Sequence, residues 1–275
     1  MRRILFLALA VASGCLPARA QRTADSDDRW LENCRDNWGD RDRGRACEVR
    51  DVAVRVSGRF IEVDGQANGG VRVVGWDGSD VKVTARLQGN ARSDGSARDL
   101  LKDVRIGMDG NTLRADGPRG WSGRGRDSEN WSVSYLIMVP RHFDLRLGAN
   151  NGSLNVAGVN GTMDLRTTNG SVVLSEVGGD VRARTQNGSL TVELSGGKWE
   201  GAGLEAQTQN GAVRMGIPSK YAATIETGTV NGHVSTDFPV TFRGRITRQL
   251  SLPLNGGGTV LRATTQNGSV TLSER

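Results

Sequence analysis

The sequence is poor in the residues from which most catalytic and metal sites are built. It holds two histidines, His142 and His233, and three cysteines among 275 residues. A Gly-x-Ser-x-Gly turn, a zinc-spaced cluster of histidines and cysteines and a phosphate-binding glycine loop are all absent from it. We therefore expect no cofactor, no metal and no catalysis, and we expect both histidines to be structural, with His233 on a turn.

Long apolar runs are also absent. The longest, Ile4 to Ala12, has nine residues, whereas a membrane-spanning helix needs about 20. Two arginines precede this run and Ala18-Arg19-Ala20 follows it, which is the pattern of an export signal cleaved before Gln21. In an alternative interpretation the segment Ala12-Ser13-Gly14-Cys15 is a lipoprotein box with Cys15 acylated, although Ala12 stands where such boxes usually have leucine. No membrane span is expected in either case.

The chain has little excess of either charge. The net charge is +6, from 36 basic and 30 acidic residues, and loss of the three arginines in residues 1–20 leaves +3. A nucleic-acid-binding protein usually needs a concentrated basic face. The sequence therefore predicts no nucleic-acid partner.

Only two cysteines remain after removal of the signal. Cys34 and Cys47 are expected to form one disulfide, because exported proteins meet an oxidising compartment. The surrounding residues 21–50 are rich in charge and poor in aliphatic side chains, so we interpret them as a solvated leader without a core of its own.

The most informative part of the chain is an internal repeat. Written in nines from Asn151, it runs NGSLNVAGV, NGTMDLRTT, NGSVVLSEV, GGDVRARTQ, NGSLTVELS. Apolar residues stand three and five places after each opening residue, which is the period of a half-buried β-strand. The predicted turn pairs are Asn151-Gly152, Asn160-Gly161, Asn169-Gly170, Asn187-Gly188, Asn210-Gly211, Asn231-Gly232 and Asn267-Gly268.

Two all-β architectures are compatible with this repeat. Asn-Gly between alternating strands is typical of hairpins, which would give an antiparallel meander or sandwich. The other is a parallel solenoid with about 18 residues per coil. We favour the solenoid, because Thr-Gln-Asn recurs before Gly188, Gly211 and Gly268 and suggests stacked side-chain ladders. One short helix, with Ser96 as N-cap, is expected to cap the open end of the sheet.

Two segments outside the strand pattern are candidate binding sites. The first is the glycine-rich loop with Trp121, Arg124 and Arg126, and the second is the insertion around Trp199. Tryptophan and arginine are frequent among the residues that dominate binding interfaces.

The order of strands also carries a resemblance to a known family. Tyr135-Leu-Ile-Met-Val-Pro140, then Phe143-Asp-Leu-Arg-Leu147, then the Asn-Gly coils resemble a bacterial family of adhesin-like β-strand-repeat domains of unknown function. The sequence is also similar in style to the head domains of autotransporter adhesins. The resemblance covers residues 52–273 and implies a right-handed parallel β-helix and an exported location, with no catalytic residues to carry over.

Together these observations predict four segments. They are a signal peptide (1–20), a charged leader with one disulfide (21–50), an N-terminal β region (51–147) and an Asn-Gly repeat region of the same domain (148–275). The predicted function is an exported, non-catalytic surface or envelope protein, periplasmic, surface-bound or secreted, that binds a glycan or an envelope protein. A structural envelope component and a polysaccharide-active enzyme are the alternatives.

Overall fold

The computed structural model describes residues 18–36, 44–65, 68–118, 129–239 and 249–275. The chain divides into two compact units, Met1–Gly39 and Asp40–Arg275. In the first unit, helix α1 spans Ala18–Asp36. Each of Cys34 and Cys47 is disulfide-bonded, which supports the predicted disulfide.

The described residues of the second unit form two sheets of ten strands each and one helix. Its elements are β1 (Gly44–Val52), β2 (Phe60–Asp64), β3 (Val71–Trp76), β4 (Lys82–Ala91), α2 (Asp94–Lys102), β5 (Arg105–Asp109), β6 (Thr112–Asp116), β7 (Asn130–Pro140), β8 (Asp144–Ala149), β9 (Leu154–Ala157), β10 (Asn160–Asn169), β11 (Val172–Ser175), β12 (Gly178–Asn187), β13 (Leu190–Glu193), β14 (Gly203–Asn210), β15 (Val213–Ile217), β16 (Ala223–Asn231), β17 (Val234–Thr236), β18 (Gln249–Leu254), β19 (Val260–Asn267) and β20 (Val270–Glu274). Sheet A has the strand order β1-β4-β7-β3-β9-β11-β13-β15-β20-β17, and sheet B has the order β18-β16-β19-β14-β12-β10-β8-β2-β6-β5.

The Asn-Gly repeats pair in parallel, each residue with its equivalent one repeat later. Met163 pairs with Val181 in sheet B, and Val172 pairs with Leu190 in sheet A. Parallel pairing excludes the antiparallel alternative for these repeats. The sheets as a whole are nevertheless mixed, because β1, β4 and β7 pair in antiparallel fashion, as do β5 with β6 and β16 with β18. A uniformly parallel β-helix is therefore not what the chain forms.

The core follows from the alternation of side chains. The apolar residues of each nine face inward; Leu154, Leu174, Val181 and Leu190 are all fully buried. Between them, polar residues such as Arg182 face outward, with 60% of that side chain exposed. The strand faces are thus those that the repeat predicts.

The C-terminal segment is out of sequence order in the stack. Strand β19 lies between β14 and β16, and β20 lies between β15 and β17. The coil made of β16 and β17 is therefore the last of the parallel coils, with β18 beyond it in sheet B. The chain returns to fill the place between that coil and the preceding one. Sequence spacing alone, which puts Asn231 next to Asn210, does not reveal this inserted coil.

Helix α2 begins three residues earlier than expected. Its N-cap is Ser93, whose hydroxyl accepts a hydrogen bond from the Ser96 backbone N–H at 3.2 Å. Ala97, Leu100 and Leu101 are buried on one side, and Arg50 of β1 donates to the carbonyls of Leu101 and Val104. The helix covers the β1 edge of sheet A, in line with the predicted capping role.

The predicted leader is also more ordered than its composition suggests. Strand β1 lies within residues 21–50 for most of its length and pairs with β4 from Gly44 to Val52. Its backbone hydrogen bonds compensate for its few aliphatic side chains. Of the predicted signal segment, residues 1–17 lie outside the described residues, and so does Cys15. Within the described part of the chain, no helix is long and apolar enough to cross a membrane.

Replacing Leu174 by alanine is expected to lower the free energy of unfolding by about 2 to 5 kcal/mol, because a fully buried side chain is lost and a cavity remains. Arg182→Ala is the matched control on the next strand and should change it by at most about 0.5 kcal/mol. Urea unfolding of both variants gives the comparison. Equal midpoints would contradict the assignment of the two strand faces.

Candidate functional site

Six of the seven predicted turn asparagines, together with Asn68, which the repeat did not predict, form a continuous ladder along one corner of the second unit. Each side-chain amide N–H donates to the side-chain oxygen of the next asparagine, at 2.7 to 3.1 Å. The order of donation is Asn231, Asn267, Asn210, Asn187, Asn169, Asn151, Asn68. Asn160 is not a member; it begins β10 and donates to Glu200 at 3.4 Å. Asn160-Gly161 therefore starts a strand, where the sequence predicts a turn.

A threonine two residues before each of five ladder asparagines fixes the corner from inside. Each of these hydroxyls donates to a glycine carbonyl of the neighbouring coil at 2.7 to 2.9 Å, and each threonine is at most 6% exposed. They are Thr167, Thr185, Thr208, Thr229 and Thr265. Since a buried hydroxyl needs a partner, the recurring Thr-x-Asn-Gly sequence supplies both bonds that hold the corner.

The ladder glycines are required for a reason other than turn geometry. None of Gly152, Gly170, Gly188, Gly211 and Gly268 has a positive φ, so a left-handed backbone is not the reason for glycine at these positions. Instead, a Cβ at Gly188 would lie 2.1 Å from the Gly170 carbonyl oxygen, and the other glycines are equally close to the next coil. Glycine is present because the coils approach at this corner more closely than any side chain permits.

The outer face of sheet B carries a row of charges of alternating sign, which we name the charged row. Its members are Glu62, Arg146, Asp164, Arg182, Glu205, Arg262 and Glu226, on seven adjacent strands and in direct register. Arg262 donates through two nitrogens to Glu226, at 2.6 and 3.0 Å, and this hydrogen bond raises the pKa of Arg262. At the other end, Arg146 lies 3.7 Å from Glu62. Opposite charges on neighbouring strands stabilise the stack.

Two open depressions lie beside the charged row, at glycines of the next row of outward residues. The larger, about 1040 Å³, surrounds Gly228 and is lined by residues that include Arg184, Gln207, Arg262 and Thr264. The smaller, about 460 Å³, surrounds Gly148, where a Cβ would meet nothing closer than 3.9 Å. At Gly148 the missing side chain leaves room for a ligand group.

Of the four predicted binding residues, the structure describes Trp199 alone. Trp121, Arg124 and Arg126 lie outside the described residues. Trp199 is only 4% exposed, and its indole N–H donates to the Gly179 carbonyl at 3.0 Å. This placement argues against a binding role for Trp199.

A second insertion in the repeat, around Tyr221, also packs into the core. Tyr221 is 1% exposed, and burial, followed by the charge of Glu200, raises its pKa to about 12. The Ala222 N–H donates to the Gly197 carbonyl at 2.7 Å, so the two insertions lie against each other. His142 and His233 are both exposed, and the described residues contain no group of three or more potential metal ligands.

The charged row cannot be recognised from the sequence. Its members stand between two inward-facing residues of each strand, a position that sequence analysis assigns only to the surface. In sequence order, Glu205 would neighbour Glu226. The inserted coil places Arg262 between these two carboxylates, so that the charges alternate along the whole row.

Residues 137–273 match the family described as Toastrack DUF4097. The chain contains a Toastrack DUF4097 domain. The Toastrack match begins within β7, so that β1 to β6 precede it, although the resemblance seen in the sequence extends over residues 52–273. It confirms the predicted relationship to a domain family of unknown function.

Solved structures with a similar arrangement come from several bacteria. One is a "putative cell adhesion protein" from Clostridium sporogenes (12% identity, TM-score 0.40, covering 84% of this chain and 100% of that one). Another is a "putative adhesin" from Bacteroides fragilis (11%, TM-score 0.38, 84% and 97%). A third is a "putative lipid binding protein" from Parabacteroides distasonis (10%, TM-score 0.32, 83% and 96%). None of the curated proteins is significantly similar to the Toastrack chain.

Proposed function

We propose that this Toastrack protein is an exported, non-catalytic binding module that holds an extended polar ligand, a linear glycan, on the outer face of sheet B. The observation that supports this proposal is the charged row, in which seven side chains on adjacent strands lie in register. Catalysis is not part of the proposal, because the described residues offer no convergent nucleophile, acid and base.

Regular spacing suits a ligand with a repeating unit. Adjacent strands lie about 4.8 Å apart, so equivalent side chains recur at that interval across the sheet. We infer that the stacked coils form a rigid solenoid, in which this spacing is fixed by the asparagine ladder. A chain of sugars lying across the strands would meet similar groups at each step, and the depressions at Gly148 and Gly228 would receive its bulkier substituents.

The composition of the face favours a glycan over a protein partner. Protein interfaces have apolar, aromatic-rich centres, whereas the large hydrophobic residues that are exposed in the described chain are Val230 and Val260. The lining of the larger depression is mostly amides, hydroxyls and charged groups. Because acidic residues alternate with arginines along the charged row, the face has no concentrated positive potential, and a neutral polymer fits it better than an acidic one.

Export is supported by two features of the chain. The first is the signal-like sequence of residues 1–20, and the second is the disulfide-bonded state of Cys34 and Cys47, since disulfides persist outside the reducing cytosol. The proposed place of action is the periplasm, the cell surface or the medium.

The binding face can be tested with a pair of arginine variants. We expect the mature protein to be retained on an immobilised neutral linear polysaccharide, and Arg184→Ala to weaken binding by roughly tenfold, the value of one hydrogen bond from a charged group. Arg214→Ala removes the same charge from an exposed position of β15 in sheet A and should leave the affinity unchanged. Affinity electrophoresis or calorimetry provides the measurement.

Three other outcomes would each count against this proposal. Equal losses in the two variants would place the ligand elsewhere. Shortening of the polysaccharide by protein that remains pure after further chromatography would indicate an enzyme. Failure of neutral and acidic polysaccharides alike to bind would favour a structural component of the envelope.

A further inference from the structure

An Asn-Gly pair is the dipeptide most prone to spontaneous loss of the asparagine amide. The backbone nitrogen of the glycine attacks the asparagine Cγ and forms a C–N bond, the bond from Cγ to Nδ2 breaks, and ammonia leaves. Water then opens the resulting succinimide to aspartate or isoaspartate. Seven such pairs make up the ladder, so that the chain carries an unusual number of potential modification sites.

In most of these pairs, hydrogen bonds to neighbouring coils engage both the asparagine side chain and the glycine N–H. Their side chains take part in the ladder of amide hydrogen bonds described above. Their glycine N–H groups are also engaged, because each donates to the asparagine carbonyl of the next coil at 3.0 to 3.2 Å. This second set comprises Gly69 to Asn151, Gly170 to Asn187, Gly188 to Asn210, Gly211 to Asn267 and Gly268 to Asn231. The attacking nitrogen is thus engaged and the attacked amide is fixed.

Asn231 stands at the end of both sets. Its amide N–H donates to Asn267 at 2.7 Å, but no ladder asparagine follows to donate to its own oxygen. The N–H of Gly232 has no acceptor among the described residues, since beyond β16 and β17 these include only β18, whose pairing with β16 runs from Ala223 to Gly228. Asn231 is exposed, so water reaches it freely.

We propose that Asn231 is a modification site, at which the folded protein undergoes deamidation in preference to the other ladder asparagines. Among the described residues the Gly152 N–H also has no acceptor, but the side chain of Asn151 donates to Asn68 and accepts from Asn169. Asn231-Gly232 is thus the ladder pair in which the neighbouring coil holds neither the glycine nitrogen nor the asparagine oxygen. The reaction replaces the side-chain amide of Asn231 by a carboxylate and adds one negative charge beside Val230. Asn267 then loses the N–H that Asn231 donates to it. Deamidation of the asparagine ladder therefore begins at this end.

Trypsin makes the proposal measurable, because cleavage after lysine and arginine puts each of five ladder asparagines in a peptide of its own. These peptides span residues 167–182, 185–198, 199–214, 221–243 and 263–275. The folded protein is incubated at mildly alkaline pH, digested at intervals and analysed by mass spectrometry. We expect aspartate and isoaspartate to accumulate in peptide 221–243 at least roughly tenfold faster than in the others, because the other pairs must first break hydrogen bonds.

Two controls distinguish the effect of the folded structure on the deamidation rate from the intrinsic reactivity of the Asn-Gly sequence. In urea, all five peptides should deamidate at similar rates, since the pairs have the same sequence Asn-Gly. Asn231→Gln should abolish the fast reaction in peptide 221–243 and leave the other four peptides unchanged. Similar rates for all five sites in the folded protein, or no reaction at Asn231 where the unfolded protein reacts, would overturn the proposal.

Discussion

Replacement of Gly188 by alanine is expected to lower the free energy of unfolding by about 3 kcal/mol or more, the upper end of what overpacking costs. The added Cβ would lie 2.1 Å from the Gly170 carbonyl oxygen and 2.5 Å from its carbon. Both are backbone atoms that other coils hold in place, so neither can move aside alone. Separation of the two coils would also weaken the ladder bond between Asn187 and Asn169, which is 2.9 Å long.

Gly197→Ala is the matched control for this substitution. A Cβ at Gly197 meets no atom within 4 Å, and the residue does not have a positive φ. We expect this variant to differ from the wild type by at most about 0.5 kcal/mol. Urea unfolding followed by circular dichroism measures both. A Gly188→Ala protein as stable as Gly197→Ala would mean that the coils tolerate a wider spacing at the asparagine corner.

The periodic part of the fold could be predicted from the sequence because its cause is local. Alternating apolar residues at a fixed distance from Asn-Gly determine which side of each strand is buried, and Leu174 and Val192 are buried as expected. The ladder could be anticipated as well, since identical amides at one corner of a parallel stack lie at hydrogen-bonding distance. These features depend only on residues within one or two repeats.

The mixed character of the sheets could not be predicted in this way. The antiparallel pairing of β16 with β18 depends on which distant strand reaches an open edge, and no period marks it. The same holds for β1. This strand ends at Val52, and its partner β4 begins 30 residues later, at Lys82. Backbone hydrogen bonding at an edge is insensitive to side-chain type, so composition made the leader seem unstructured.

The candidate site was missed for a related reason. Sequence analysis sought aromatic and arginine side chains in irregular segments, and Trp199 in fact fills the core. The charged row is composed of ordinary surface residues that become a site only through their alignment. Alignment across strands depends on the position of the inserted coil, which the order of the sequence conceals.

The inserted coil also has a stabilising role that can be tested by removing it. Deletion of residues 259–275 takes away Leu261, Val270 and Leu272, which are fully buried and contribute about 1.5 to 3 kcal/mol each. This loss is comparable with the total stability of a typical domain, about 5 to 15 kcal/mol. It also leaves β14 and β16 without a partner on facing edges.

We therefore expect the truncated protein to lose its cooperative unfolding transition and to become sensitive to proteases. The two coils on either side cannot simply close the gap, because direct stacking of β16 on β14 would put Glu226 opposite Glu205, whereas each now lies beside Arg262.

A synthetic peptide of residues 259–275, added to the truncated protein, should restore the transition, since it supplies both missing strands and the Asn267 step of the ladder. The same peptide with Leu272→Asp is the matched control and should fail, because it would bury an unpaired carboxylate. A truncated protein that unfolds cooperatively at the wild-type urea midpoint would show that the neighbouring coils stack directly on each other, and that the inserted coil is an addition to a fold already complete without it.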